Sequence, residues 1–253
     1  MNLNSTQRFS DRVENYIKFR PSYPTEILDF LSSKLGFSKS SLVADIGSGT
    51  GLLTKIFLEN GNSVFAVEPN KEMREAGEKI LSEFTNLKSI DGTAEVTTLA
   101  EKSIDFVVAG QAFHWFEIVK TKAEFKRILK PNGFVVLVWN KRRNDKPFLV
   151  EYEKLIQEFA VDYEKIKHTS ADKGKEVQEF FGGEKLNVKT FDNFQEFDFE
   201  GLKGRLLSSS YAPNENHPNH KPMIQALKQL FKQFQQNGQI RIDYKTNVFW
   251  GRV

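Results

Sequence analysis

Cysteine is absent from all 253 residues, which excludes thiol catalysis, disulfides and cysteine-ligated zinc together. The four histidines form no His-Glu-x-x-His spacing, and His217 and His220 sit in a proline-containing stretch that reads as a loop, so no metal is expected. No apolar run approaches the ~20 residues of a bilayer span. The opening residues Met1-Asn2-Leu3-Asn4-Ser5-Thr6 lack the basic and apolar regions of a secretory leader. These absences predict a soluble, cytoplasmic protein. Internal repeats and low-complexity segments are also missing. Charge of one sign is scarce: the net value is +3, too small to announce a nucleic-acid partner. The basic runs at Asn140-Lys141-Arg142-Arg143 and over 165–175 are broken by acids and read as solvated faces. No nucleic-acid or membrane partner is expected, and the chain is expected to be a monomer or weak dimer.

Apolar residues make up 39% of the chain and aromatic residues 13%, with 23 phenylalanines expected to build most of the core. The length suits one α/β domain with an appendage. Apolar runs at 41–46, 63–68, 87–91, 104–109 and 133–139 read as strands. Between them, 51–59, 71–84 and 118–129 carry helical periodicity, as does 24–35 before the first strand. Strands alternating with helices predict a doubly wound, mostly parallel sheet with helices on both faces. Beyond residue 145 the pattern changes. A helix over 148–159 leads into a charged stretch, 162–181, expected to be an inserted helical or mobile segment. A strand over 185–193, helices over 201–208 and 222–235, and a strand over 239–248 bring the sheet to seven strands. One domain is expected, with a cap at 1–36, a cofactor-binding core at 37–145, a helical insert at 146–184 and a substrate side at 185–253.

The chemistry is concentrated in Val43-Ala44-Asp45-Ile46-Gly47-Ser48-Gly49-Thr50-Gly51. An apolar strand ends beside a carboxylate, and glycines follow at every second position before a helix. Glycines let the backbone turn sharply and approach a ligand closely, and the helix start offers unpaired N–H groups. A dinucleotide fingerprint would place its third glycine where Leu52 stands. Asp45 would repel a pyrophosphate, and no Gly-Lys-Ser/Thr follows to make a phosphate loop. The site therefore asks for an adenosine-like ligand with positive charge and no phosphate, a description that fits S-adenosylmethionine. Glu68, ending the second strand, falls near the spacing expected of an acid that accepts from ribose hydroxyls. Small residues at Gly92 and Ala94 leave room for a flat base, whose edge Thr93 and a backbone N–H can read.

These motifs, Asp45-Ile46-Gly47-Ser48-Gly49-Thr50-Gly51, Val67-Glu68-Pro69-Asn70-Lys71-Glu72-Met73, Gly92-Thr93-Ala94-Glu95 and Ile104-Asp105-Phe106-Val107-Val108-Ala109, make the chain resemble a class I S-adenosylmethionine-dependent methyltransferase of Rossmann-like fold. Phe19-Arg20-Pro21-Ser22-Tyr23-Pro24 and Gln111-Ala112-Phe113-His114-Trp115-Phe116 resemble the small-molecule group that includes trans-aconitate methyltransferase. The resemblance implies that Asp45 and Gly47 hold the methionyl end, Glu68 the ribose, and Thr93, Ala94 and Glu95 the adenine, with Gly49, Gly51 and Pro69 also binding the cofactor. Met73 would pack on the base or fill the core. Thr93 departs from the acid that many relatives carry there. Gln111 would stand beside the reacting methyl. Tyr16 and Arg20, in a segment expected to fold over the cofactor, are further candidates, Arg20 pairing with the methionyl carboxylate or with an acidic substrate.

Methyl transfer from a sulfonium needs alignment and exclusion of water. A general base is required only if the nucleophile must lose a proton. His114 is placed to orient substrate or to pack beside Trp115, readings favoured over base catalysis. Trp115, the charged insert and Ser209-Ser210-Tyr211 are expected to wall the substrate. A carboxylate acceptor is favoured, since Arg20 and Arg205 can neutralise it. The competing readings are a nucleic-acid or protein methyltransferase, a non-catalytic binding module and a nicotinamide-dependent oxidoreductase. The chain lacks the Asn/Asp-Pro-Pro-aromatic motif that a methyltransferase of nucleic-acid bases would place after the fourth strand, and Leu52 and Asp45 weigh against the oxidoreductase.

Overall fold

The computed structural model of the protein describes residues 13–161, 173–183 and 186–253. Five strands run parallel: β1 (Val43–Ile46), β2 (Val64–Val67), β3 (Leu87–Ile90), β4 (Ile104–Gly110) and β5 (Leu129–Arg142). Two more, β6 (Asn187–Phe197) and β7 (Ile240–Gly251), complete one seven-stranded sheet of order β3-β2-β1-β4-β5-β7-β6. β7 is antiparallel to both of its neighbours. The result is the doubly wound, Rossmann-like α/β sheet that the alternation predicts. The helices are α1 (Val13–Phe19), α2 (Glu26–Leu35), α3 (Leu52–Glu59), α4 (Lys71–Ile80), α5 (Ile118–Ile128), α6 (Pro147–Phe159), α7 (Lys173–Phe180), α8 (Phe199–Leu207) and α9 (His220–Phe234). Among the described residues no helix is long and apolar enough to cross a membrane.

The central strands read as continuous apolar runs because both sheet faces are covered. Alternate residues serve opposite faces. Val43, Val64, Phe106, Val108 and Val136 pack against Ile27 and Leu31 of α2 and Ile56 and Phe57 of α3. Ala44, Ile46, Val107, Ala109 and Leu137 pack against Phe125 and Ile128 of α5 and Val177 and Phe180 of α7. A third cluster joins α6, α8 and α9 to Ile240, Ile242 and Tyr244 of β7. Helix α6 thus packs with the carboxyl-terminal elements, and α7 with the central sheet. The remainder of the charged stretch, 162–172, lies outside the described residues.

One expectation needs correction. Valine, leucine and isoleucine outnumber phenylalanine in the core, because covered parallel strands favour branched aliphatic side chains. Phenylalanines instead make edge-to-face junctions, Phe37 with Phe57 and Phe106, and Phe180 with Phe113 and Phe125. The helix expected over 71–84 stops at Ile80, where Leu81 leaves helical geometry. The strand expected over 133–139 is longer, since its second half pairs with β7 from Val135 to Arg142.

Register positions the site. Ile46 lies opposite Val67, and Val67 opposite Ile90, so Gly47, Glu68 and Asp91 leave the sheet side by side. Asp45 lies opposite Val108, which brings the end of β4 to the same edge. Between β1 and β4 the strand order reverses, and a crevice opens at the carboxyl ends of the strands.

Candidate active site

A cavity of about 410 Å³ occupies this crevice, within the range of small-ligand sites. Its floor is the glycine turn after β1. The amides of Gly47 and Ser48 both donate to the Val67 carbonyl, at 2.9 and 3.2 Å, which ties the turn to β2. Gly47 is left-handed (φ 68°), and a Cβ there would stand 2.6 Å from the Cβ of Ala112. Only glycine satisfies both constraints. Gly51 is also left-handed (φ 84°), but a Cβ there would meet Leu81 at 2.5 Å. It does not line the cavity. It starts α3 and admits Leu81 behind the turn.

Glu68 lines the cavity and is 8% exposed. Its Oε2 accepts from the Gly49 amide and its Oε1 from the Asn70 amide, each at 2.8 Å. Burial pushes its pKa above the usual carboxylate value, and the two amides and Arg74 offset part of that rise. Asn70, which the sequence reading did not single out, caps α4 by accepting from the Met73 amide at 2.8 Å. Pro69 and Met73 line the same wall.

Asp45 lies behind the turn rather than on the cavity wall, 1% exposed. Its Oδ2 accepts from Thr54 Oγ1 at 2.6 Å, and its Oδ1 has no hydrogen-bond partner. Burial raises its pKa, the Thr54 hydroxyl lowers it, and the charge of Glu68 raises it again, to about 7. Spacing reveals an acid at the end of β1 but not that α3 reaches back to half-satisfy it.

Gly49, Thr93, Ala94 and Glu95 all line the cavity. Thr93 closes a small turn, its amide donating to the Val96 carbonyl and its Oγ1 accepting from the Val96 amide. Glu95 Oε1 accepts from the Glu117 amide at 2.8 Å, fastening this wall to the start of α5. Gln111 follows β4 with φ 57°. Its Oε1 accepts from the Asn140 amide at 3.0 Å, and its Nε2 donates to the Asn140 carbonyl at 3.4 Å. The side chain thus extends the β4–β5 ladder while one face remains on the cavity. His114, in a 3-10 turn at Phe113–Trp115, lies with its ring 4.5 Å from Trp115 and 5.5 Å from Trp139. Trp139 was missed because a tryptophan inside an apolar strand reads as core. Its place at the carboxyl half of β5 is the signal that identifies it.

The far wall comes from both ends of the chain: Arg20, Ser210 and Tyr211. Arg20 Nη2 donates to the Ser208 carbonyl at 2.8 Å. Tyr16 lies on α1, with its side chain outside the described residues. Arg205 is buried behind this wall, its Nε donating to Tyr244 Oη at 3.1 Å and its Nη1 to Ser209 Oγ at 3.2 Å.

Asp45 binds its proton more tightly in the folded than in the unfolded chain. Its contribution to stability is therefore lost as pH rises from about 4 to about 7. At about 1.4 kcal/mol per unit, the loss is on the order of 2–4 kcal/mol. Urea denaturation at pH 5 and pH 8 should show Asp45→Asn gaining stability over the wild type at the higher pH; parallel pH profiles would contradict the placement.

A family model described as a methyltransferase domain matches residues 44–137, from β1 into β5. The chain is similar to an uncharacterized methyltransferase of Schizosaccharomyces pombe, 29% identical over 205 residues, which are 79% of this chain and 77% of that one. It is also similar to an uncharacterized methyltransferase of Mycobacterium tuberculosis, 38% identical over 134 residues, 53% of this chain and 52% of the other. The solved structure of a candidate type II methyltransferase from Anaeromyxobacter dehalogenans superposes with a TM-score of 0.67 at 18% identity, covering 92% of this chain and 98% of its own. That last likeness speaks for the fold. The sheet order, the glycine turn bound to an acid at the end of β2, and these matches agree: residues 44–137 carry a methyltransferase domain, and the chain resembles the class I S-adenosylmethionine-dependent methyltransferases.

Proposed function

We propose that the protein methylates a small-molecule acceptor and that the acceptor presents a carboxylate. The observation that carries this reading is the cavity itself, which runs from the glycine turn and Glu68 to a wall holding the Arg20 guanidinium. The residues present fit the methyl donor. Asp45 leaves a buried oxygen without a partner, Gly47 keeps open a space that a side chain would close, and Glu68 faces the cavity with lone pairs beyond those its two amide contacts use.

When bound, S-adenosylmethionine supplies a methyl already activated toward in-line displacement. The chain supplies binding, alignment and a dry site. Glu68 accepts from the ribose hydroxyls, and Ala94 and Met73 offer apolar surface to the base. Asp45 places negative charge behind the turn, favouring a cationic ligand. On the acceptor side the indoles of Trp115 and Trp139 exclude water, and His114, its ring tilted against both, orients the acceptor. Arg20 draws the carboxylate toward the methyl, and a carboxylate brings its own lone pair, so no side chain need remove a proton. The resemblance to the trans-aconitate methyltransferase group supports the same acceptor chemistry. The reading extends to a cytoplasmic enzyme with no nucleic-acid or membrane partner, acting as a monomer or weak dimer.

Calorimetric titration with S-adenosylmethionine should show binding that Glu68→Ala weakens at least tenfold; a wild-type protein that does not bind would sink the reading. With a panel of small carboxylic acids and their amides, the acids should be methylated and the amides not. Arg20→Met should raise KM for the acid about tenfold or more while donor affinity stays unchanged. Loss of donor affinity instead would assign Arg20 to the methionyl carboxylate.

A further inference from the structure

The cavity wall beside Gln111 is made of rings. Among the described residues, no valine, leucine or isoleucine lines the cavity, although these types fill β1, β4 and β5 behind it. The apolar surface on the acceptor side comes instead from His114, Trp115, Phe116 and Trp139. The local fold explains how the rings arrive there. Phe113 is 1% exposed and packs edge-to-face on Phe180 at 5.1 Å and on Phe116 at 5.9 Å. It anchors the 3-10 turn, so the next two rings, half-buried, meet the cavity. Trp139 comes from the neighbouring strand. Gly110 lies opposite Val138, and the Gln111 amide donates to the Val138 carbonyl at 3.0 Å, so β5 delivers Trp139 beside Gln111.

The choice of rings has a chemical consequence. An aliphatic wall favours any apolar group in proportion to the area it buries. A ring wall adds a preference for flat π systems, which gain offset-stacked or edge-to-face contacts beyond that burial. The imidazole already packs against both indoles, tilted 40° to Trp115 and 53° to Trp139. Side chains held in this way lose little freedom when a ligand meets them. Rings attract cations as well, but the Arg20 guanidinium on the far wall of the same cavity repels a cationic acceptor and draws an anion.

We propose that the acceptor is an aromatic carboxylic acid, its flat ring taken up by Trp115 and Trp139 and its carboxylate by Arg20. This inference rests on the carboxylate-acceptor reading and adds what the rest of the acceptor must be. Trp115 and Trp139 then set the specificity between flat and saturated acids. No proton is moved in the step. A carboxylate oxygen bonds to the methyl carbon as the carbon–sulfur bond breaks toward sulfur, and the charges of anion and sulfonium cancel.

The test is calorimetric titration of benzoate, cyclohexanecarboxylate and benzamide into the protein with S-adenosylhomocysteine present. The saturated acid buries at least as much apolar area, so burial alone gives benzoate no advantage. Wild type should bind benzoate about tenfold more tightly than cyclohexanecarboxylate, and more tightly than benzamide. Trp139→Leu keeps apolar bulk and removes the ring. It should bring the two acids within about twofold while affinity for S-adenosylhomocysteine stays unchanged. Trp115→Leu should narrow the gap in the same direction, and it reads the proposal by itself if Trp139→Leu fails to fold. Benzoate that does not bind, or binds no better than the saturated acid, would overturn this inference alone. So would a benzoate preference that the leucine variants keep. Benzamide binding as tightly as benzoate would overturn the carboxylate reading, and this inference with it.

Discussion

Two carboxylates kept out of water at the ends of adjacent strands are the constraint on which this site depends. Glu68 is satisfied by the amides of Gly49 and Asn70, so the acid that closes β2 also fixes the glycine turn after β1 and the start of α4. Asp45 is satisfied on one oxygen only, by Thr54 of α3. Burial raises both acids, and for Asp45 the charge of Glu68 adds to that rise against the Thr54 hydroxyl, which brings it to about 7. Burial of this kind is unfavourable for the empty protein. It becomes favourable when a ligand brings positive charge and hydrogen-bond donors, as the ammonium, sulfonium and ribose of S-adenosylmethionine do.

The acceptor side is built differently. Its parts come from distant stretches of the chain, and Asn140 gathers them. The Asn140 amide bonds to Gln111, its Nδ2 donates to the Ser22 carbonyl at 3.0 Å, and its Oδ1 accepts from Thr246 at 2.5 Å and from Asn193 at 3.3 Å. A second bridge runs from the Phe19 carbonyl through Gln195 and Tyr244 to Arg205. The segment carrying Arg20 is thereby held between β5, β6 and α8. Gln111 and His114 line the cavity between the two ends, and under the proposed function the methyl passes there.

The contrast explains what the sequence could reveal. The donor end is encoded locally, because a strand, a turn and a helix start lie within a dozen residues, and the glycine spacing and Glu68 are legible in that window. The mostly parallel sheet follows from the same alternation. Asp45 was visible as an acid, but its retreat behind the turn depends on Thr54 reaching back from α3. Gly51 had the spacing of a ligand contact, and only the position of Leu81 shows that it serves packing. Asn140 sat in a basic run that read as solvated surface, and Trp139 in a strand that read as core; their roles depend on pairings with β4, β6, β7 and the segment before α2. Arg205, Ser209 and Tyr211 could be named as candidates, whereas the hydrogen bond from Arg205 to Ser209 required the fold.

The central claim is that a buried, half-satisfied acid at the end of β1 makes this crevice a site for a cationic nucleoside. The most direct measurement is calorimetry of S-adenosylmethionine binding near pH 7 in buffers of different ionisation enthalpy, which counts the protons exchanged. The account predicts that binding releases a fraction of a proton as Asp45 ionises, and that Asp45→Asn abolishes the release. Binding with no proton release, or with a release that survives in Asp45→Asn, would contradict it.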